Sequence, residues 1–224
     1  MHDDIFHEIQ EDLRYENLIK FFQIYGKYIL GAAIAIVVCV SGYSYWQHHQ
    51  EQKRFAESEA YSQALLTAMQ ADPTEGMKRL KAMSQESGHY VGLAELRRAA
   101  FLMEAKAGIE PSAEHKAEAI KIYQNLSHNL KVDMKLRNLA TLLLVFSTLD
   151  QEDPQKLIIL LGTVSVGSNP WTPLASELTA LLHFKMGHFK QAADLYKNLA
   201  QASHTPESIR MRAKVMLEQM KVVI

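Results

Sequence analysis

Three short stretches of this chain contain residue types that catalysis uses. "HEIQE", beginning at His7, supplies the first imidazole and the carboxylate of a helical zinc-protease pattern, in which two histidines four residues apart share one helix face. Glu11 stands where the second imidazole must be, and no third ligand is evident, so the stretch reads as an acidic solvated helix face. His48 and His49 are adjacent, and on a helix they point about 100° apart, too far to face one metal together. "GTVSVGS", from Gly162, lacks the spacing of a nucleophile elbow and has no strand before it. A GxxxxGK phosphate loop does not occur, and the many acids fall in no convergent motif. The expectation is a protein that does no covalent chemistry and uses no cofactor and no metal.

The elements around these residues are more informative. "YILGAAIAIVVCVSGYSYW", residues 28–46, is 19 residues without a charge. As a helix it reaches roughly 28 Å, close to the ~30 Å hydrocarbon thickness of a bilayer. A core helix would carry a polar stripe, whereas Ala32 to Val40 is apolar on every face. Phe21, Phe22, Tyr25 and Tyr28 precede the run and Tyr43, Tyr45 and Trp46 close it, matching aromatic belts at headgroup depth, and Lys20 and Lys27 can snorkel outward. A cleaved export signal would begin with a short basic region; here about 27 residues come first, with six acids against Arg14, Lys20 and Lys27, and no A-x-A-like site follows. Cys39 is preceded by Val38, not the small residue that a lipid-accepting cysteine requires. The run is read as an uncleaved single-pass anchor, with His48 and His49 at the membrane exit. Within it Gly31, Ala35 and Cys39 form a small-residue stripe at four-residue spacing, which suits close packing against another membrane helix.

The formal net charge of -1 gives no field that would favour nucleic acid, and the single cysteine excludes an intramolecular disulfide. Residues 1–27 hold 3 basic and 6 acidic residues of the 24 and 25 in the chain, which leaves 21 and 19 for the remainder, an ordinary soluble surface. Helix formers dominate beyond the run and alternating β-branched stretches are nearly absent, so the class is all-α. Breakers at Asp72-Pro73, Gly88, Gly108 to Pro111, Asp153-Pro154, Asn169-Pro170 with Pro173, and Thr205-Pro206 divide it into helical hairpins. Asp72, Asp153 and Asn169 each precede a proline and are expected to cap helix starts.

The hairpins repeat. "AIKIYQNL" (Ala119 to Leu126) and "AADLYKNL" (Ala192 to Leu199) share Ala-x-x-x-Tyr-x-Asn-Leu at an offset of 73 residues, room for two repeats of about 36. "MGHFKQAADLYKNL" resembles the second half of a tetratricopeptide repeat, with Gly187 at the tight turn, Phe189 beyond it, Ala192 where two helices approach and Tyr196 as the large packing residue. Ala119 and Tyr123 take the last two roles in the first copy. Ser176 and Thr179 stand where a bulky aromatic and a leucine are expected, and Pro206 falls about two residues late, so the repeats are degenerate. About four helical pairs and a terminal helix over 207–221 account for the length. The fold expected is a single N-terminal transmembrane helix followed by a tetratricopeptide-like helical repeat solenoid, divided as 1–27, an amphipathic segment; 28–46, the span; and 47–224, the repeat domain.

The N-terminal "DIFHEIQEDLRYENLIKFFQIYGKYILGAA" adds a second likeness. Asp-Ile-Phe, an acidic stretch, Leu13-Arg14, an aromatic pair, Tyr25-Gly26 and a span closed by Tyr-Trp resemble the bacterial membrane-anchored tetratricopeptide-like proteins that serve as ancillary subunits of the SecYEG translocon. The similarity is strongest over residues 3–47. It implies a single-pass bacterial inner-membrane protein with a cytoplasmic N-terminus and a periplasmic C-terminal repeat domain, and as partners the SecYEG translocon and an inner-membrane-anchored prolyl-isomerase chaperone. Charge alone barely orients the span, with Arg14, Lys20 and Lys27 facing Lys53 and Arg54. The function expected is a protein-binding module that links the translocon to periplasmic chaperones for exported proteins; a scaffold for another envelope assembly, in cytochrome maturation or cell division, is the alternative. Arg97 and Arg98, in an inner helix of the second pair, are candidates to line a partner groove.

Overall fold

The structure is a computed structural model that describes residues 3–86, 88–104, 110–165 and 169–220, with side chains from Tyr25 onward except at 26, 29, 32, 33 and 71. Regular structure among these residues is helical throughout: α1 (Asp3–Leu66), a π-turn (Thr67–Ala71), α2 (Pro73–Gln85), α3 (Val91–Met103), α4 (Ala113–His128), α5 (Met134–Thr148), α6 (Pro154–Val164), α7 (Thr172–Lys185), α8 (Phe189–Gln201) and α9 (Glu207–Met220). Two units divide the chain, residues 1–56 and 57–224.

In the first unit α1 runs without interruption, so the expected boundaries at 27/28 and 46/47 fall inside one helix. Among the described residues no helix is long and apolar enough to cross a membrane. The interval read as a span, 28–46, includes Ile29, Ala32 and Ala33, whose side chains lie outside the described residues, as do those of the expected amphipathic segment up to residue 24. The apolar side chains that are described there, among them Leu30, Ile34, Ile36, Val37, Val38 and Val40, are all exposed.

Helix starts in the second unit follow from side-chain capping of the otherwise unpaired first N–H groups. The Asp72 carboxylate accepts from the Thr74 and Glu75 amides at 2.9 and 3.1 Å, with Pro73 in the first turn. Asp153 accepts from the Gln155 amide at 3.0 Å, with Pro154 in the same place. Asn169 differs from expectation: its oxygen accepts from the Trp171 amide at 3.1 Å and its Nδ2 donates to the Val164 carbonyl at 2.8 Å, which makes a turn before the helix, and α7 begins only at Thr172. The junction between α4 and α5, which has neither Gly nor Pro, is built the same way. Asn129 accepts from the Lys131 amide at 3.0 Å, and Asp133 caps α5 through the Lys135 amide at 2.8 Å. Pro206 precedes α9, whose span matches the expected terminal helix to within a residue. Gly108 lies outside the described residues.

Successive helices pack in antiparallel-hairpin order, the end of α1 and the π-turn against α2, then α3 with α4, α5 with α6, α7 with α8, and α9 last. Each of these pairs also packs on the next, and α3, α5, α7 and α9 touch one another in sequence, so the first helices of the pairs share one face. The second helices bury a common i, i+4, i+7 set: Ala119, Tyr123 and Leu126 in α4; Leu157, Leu161 and Val164 in α6; Ala192, Tyr196 and Leu199 in α8. In α2 the same register is held by Gly76 and Leu80, both buried, followed by half-buried Met83. A fully buried side chain of the Leu or Val class contributes about 1.5–3 kcal/mol relative to exposure, so Leu80, Leu126, Leu157, Leu161, Val164 and Leu199 each add to the cohesion between neighbours. Gly76 meets the tightest approach: a Cβ there would overlap the backbone of Ala68, at a point where the Asp72 amide donates to the Thr67 carbonyl at 2.9 Å across five residues.

Candidate functional site

The face shared by α5, α7 and α9 carries a groove of about 680 Å³. Leu139, Leu142, Leu143 and Phe146 of α5 reach it at i, i+3, i+4, i+7, and Leu174, Glu177, Leu178 and Leu181 of α7 repeat the spacing. From α9 come Met211, Arg212, Val215 and Met216. An amphipathic helix in a hairpin stack buries one stripe against its partner; these helices extend the apolar arc past that stripe onto the shared face. Among the described residues nothing covers this apolar surface, with Phe146 at 68% exposure and Met211 and Val215 half exposed.

Polar pins at both ends fix the walls of the groove. The Trp171 indole N–H donates to the Lys135 carbonyl at 3.0 Å, joining the start of α7 to the start of α5. At the other end the Lys185 ammonium donates to the Leu149 carbonyl at 3.3 Å and pairs with Asp150. Arg212 of α9 meets Glu177 of α7 in a two-pronged ion pair, Nε to Oε1 and Nη2 to Oε2, both at 2.6 Å. Glu177 is 15% exposed, and its hydrogen bond holds the Arg212 guanidinium above its ordinary pKa. Beneath them the Tyr196 hydroxyl is pushed up to about 12, chiefly by burial and secondly by the Glu177 charge, so it stays protonated. The charges in the groove are therefore closed on each other, and what it offers a ligand is apolar contact.

The repeat residues read from the sequence fall at the helix crossings that hold these walls. Gly187 ends α7 with φ +76°, the left-handed conformation that glycine takes without strain, while the His188 amide returns to the His183 carbonyl at 2.9 Å and the Gly187 amide to Phe184 at 3.0 Å. Phe189 stacks edge-on with Phe184 across that turn, ring centroids 5.5 Å apart. Ala192 and Tyr196 are buried in one cluster with Ala180, Ile209 and Ala213, and Ala119 and Tyr123 in another with Ala99 and Ala140.

Arg97 and Arg98 do not share a groove. Arg98 pairs with Glu95 at 3.4 Å and with Glu118 at 3.3 Å, tying α3 to α4, while Arg97 lies over the Phe101 ring with Cζ 4.6 Å from its centroid. Gly31, Ala35 and Cys39 are exposed on α1. Gln52 Nε2 donates to His48 Nε2 at 3.0 Å, and His49 is exposed. Ser165 donates to the Leu161 carbonyl at 3.2 Å, as a helix-end hydroxyl does; Val166 to Ser168 and the His7 side chain lie outside the described residues. Among the described residues no three His, Cys, Asp or Glu side chains cluster to hold a metal.

The sequence reading missed the groove itself. Its only trace was the excess of large apolar residues on α5, which also fits complete burial. Among known families, the profile described as "Tetratricopeptide repeat-like domain" matches residues 20–221. No curated protein and no solved structure matches the chain.

Proposed function

The chain belongs to the tetratricopeptide repeat-like domain family, and from that premise we propose that it is a membrane-tethered protein-binding scaffold with no covalent chemistry of its own. Domains of this kind generally mediate protein–protein interaction. The observation that carries the reading is the open apolar groove on α5, α7 and α9, whose charged residues are already paired with each other. Residues 28–46 serve as the single-pass inner-membrane span, with 1–27 cytoplasmic and 47–224 periplasmic. Support comes from the uncharged run, its aromatic flanks and the exposed Leu30, Ile34 and Val38. Tethering raises the local concentration of a weak binding face beside membrane partners, so modest affinity suffices.

The partners we assign are the SecYEG translocon and an anchored prolyl-isomerase chaperone, in the handling of exported chains; this rests on the likeness over residues 3–47. A photo-crosslinking amino acid at Phe146 in living cells tests it, with Ile159, exposed on α6 and outside the groove, as the control position. Adducts of translocon or chaperone from Phe146 and none from Ile159 are expected. Adducts of cytochrome-maturation or division proteins instead would transfer the scaffold to those assemblies, and equal labelling from both positions would remove the groove from the account. Soluble exported 51–224 should lose most of its association with the translocon; recovery equal to that of the intact protein would overturn the tethering.

A further inference from the structure

A second depression, of about 890 Å³, lies between the first and second helical pairs, floored by Met69, Met77, Phe101 and Leu102 and containing Arg97. We propose that it receives a single side-chain carboxylate of a partner protein, flanked by apolar residues, with Arg97 as the receptor. Arg97 and its neighbour differ sharply. Arg98 pairs with two carboxylates through Nη1 and Nη2, whereas among the described residues Arg97 has none in ion-pair reach; the Nε atoms of both are buried without an acceptor, so the difference lies in the carboxylates. Arg97 Nη2 has only the Met69 sulfur at 3.7 Å, a weak acceptor. A guanidinium stays charged at any physiological pH, so a half-buried one lacking an anion is stabilised by gaining one, and its planar fork matches a carboxylate in two bonds. Stacking on Phe101 holds that fork in place before a ligand arrives.

The surrounding charges narrow the ligand. Glu110 borders the depression but is held by Lys116 at 2.7 Å, and Glu104 borders it too. A second acid on the ligand would meet these carboxylates, so the site selects one acid among apolar residues over an acidic run. The Met69, Met77 and Phe101 surfaces take the apolar neighbours.

The test uses the full chain in nanodiscs and fluorescent peptides blocked at both ends, Gly-Ser-Leu-Glu-Leu-Ser-Gly and its Gln analogue, read by anisotropy. The Glu peptide should bind about fivefold or more tightly than the Gln peptide, and the difference should shrink with salt. Arg97→Gln should abolish the difference and Arg97→Lys should keep part of it, with thermal melts verifying that both fold. Equal binding of the two peptides to the wild-type chain, no binding of either, or an unchanged preference in a folded Arg97→Gln chain each overturns the proposal. A Gln peptide with a free C-terminus that binds as well as the Glu peptide overturns it too, because the site would then read chain ends.

Discussion

The first and last helical pairs solve one packing problem with different residues. In the last pair the small member of the i, i+4, i+7 set is Ala192, and Tyr196 fills the space one turn on; in the first pair the small member is Gly76, and Leu80 follows. The difference lies in how near the partner helix comes. A Cβ on Gly76 would collide with the Ala68 backbone, because the π-turn brings that chain inward, whereas α7 and α9 leave room for the methyl of Ala192 beside Ala180 and Ala213. What recurs along the stack is a position and a volume, and the residue type is adjusted to the local interhelical distance.

The comparison can be broken first at the large residue. Tyr196→Ala should empty the centre of the last pair and lower stability by about 3–5 kcal/mol, seen as an earlier thermal transition; Leu80→Ala should cost slightly less, about 2–5 kcal/mol. A Tyr196→Ala chain that melts with the wild type would place the cohesion elsewhere. The small residues separate the two ends. Gly76→Ala should destabilise by about 1–3 kcal/mol through overpacking, while at the other end the larger addition of Ala192→Leu is needed to reach a comparable loss. If Gly76→Ala were neutral in denaturant titration, the close approach to Ala68 would not constrain the fold.

Phe146→Ser probes the apolar groove that the last pairs carry. Since Phe146 is mostly exposed, stability should move by no more than about 0.5 kcal/mol, yet crosslinks from the neighbouring Val215 position to partner proteins should fall. Undiminished crosslinking would show that partners dock without this ring.

The smallest effect expected is a pH dependence at the α7–α8 turn. His183 has its pKa lowered, first by burial and then by the His188 charge, whose ring lies 5.8 Å away. Protonation thus favours the unfolded chain. The contribution is complete above the unfolded histidine pKa near 6.5 and is lost as pH falls below it toward the lower folded value. His183→Gln should flatten the decline in melting temperature between about pH 7 and pH 5; an unaltered slope would assign the dependence to other groups.

Much of this was legible in the residues. The hairpin α7–α8 announced itself through Gly187, Phe189, Ala192 and Tyr196, because a left-handed turn and a small-large pair leave marks in composition. The α6 hairpin carried no such mark, since Leu157 and Leu161 serve the same register with residues that any buried helix uses. The Asn129–Asp133 turn escaped notice for a related reason: two polar side chains make it without Gly or Pro. Asn169 misled because an Asn before Pro reads as a cap, and here its amide closes the end of α6. The groove was out of reach, as the spacing of Leu139, Leu142, Leu143 and Phe146 says which way a face points but not whether anything covers it.

The pins between α5 and α7 have an evolutionary corollary. At each end one hydrogen bond terminates on a main-chain carbonyl, that of Lys135 or of Leu149, and every amino acid supplies that atom. The obligation is one-sided. Among descendants of this chain, Trp171 and Lys185 should drift slowly, while positions 135 and 149 are free of any demand from these two bonds and can record substitutions made for other reasons.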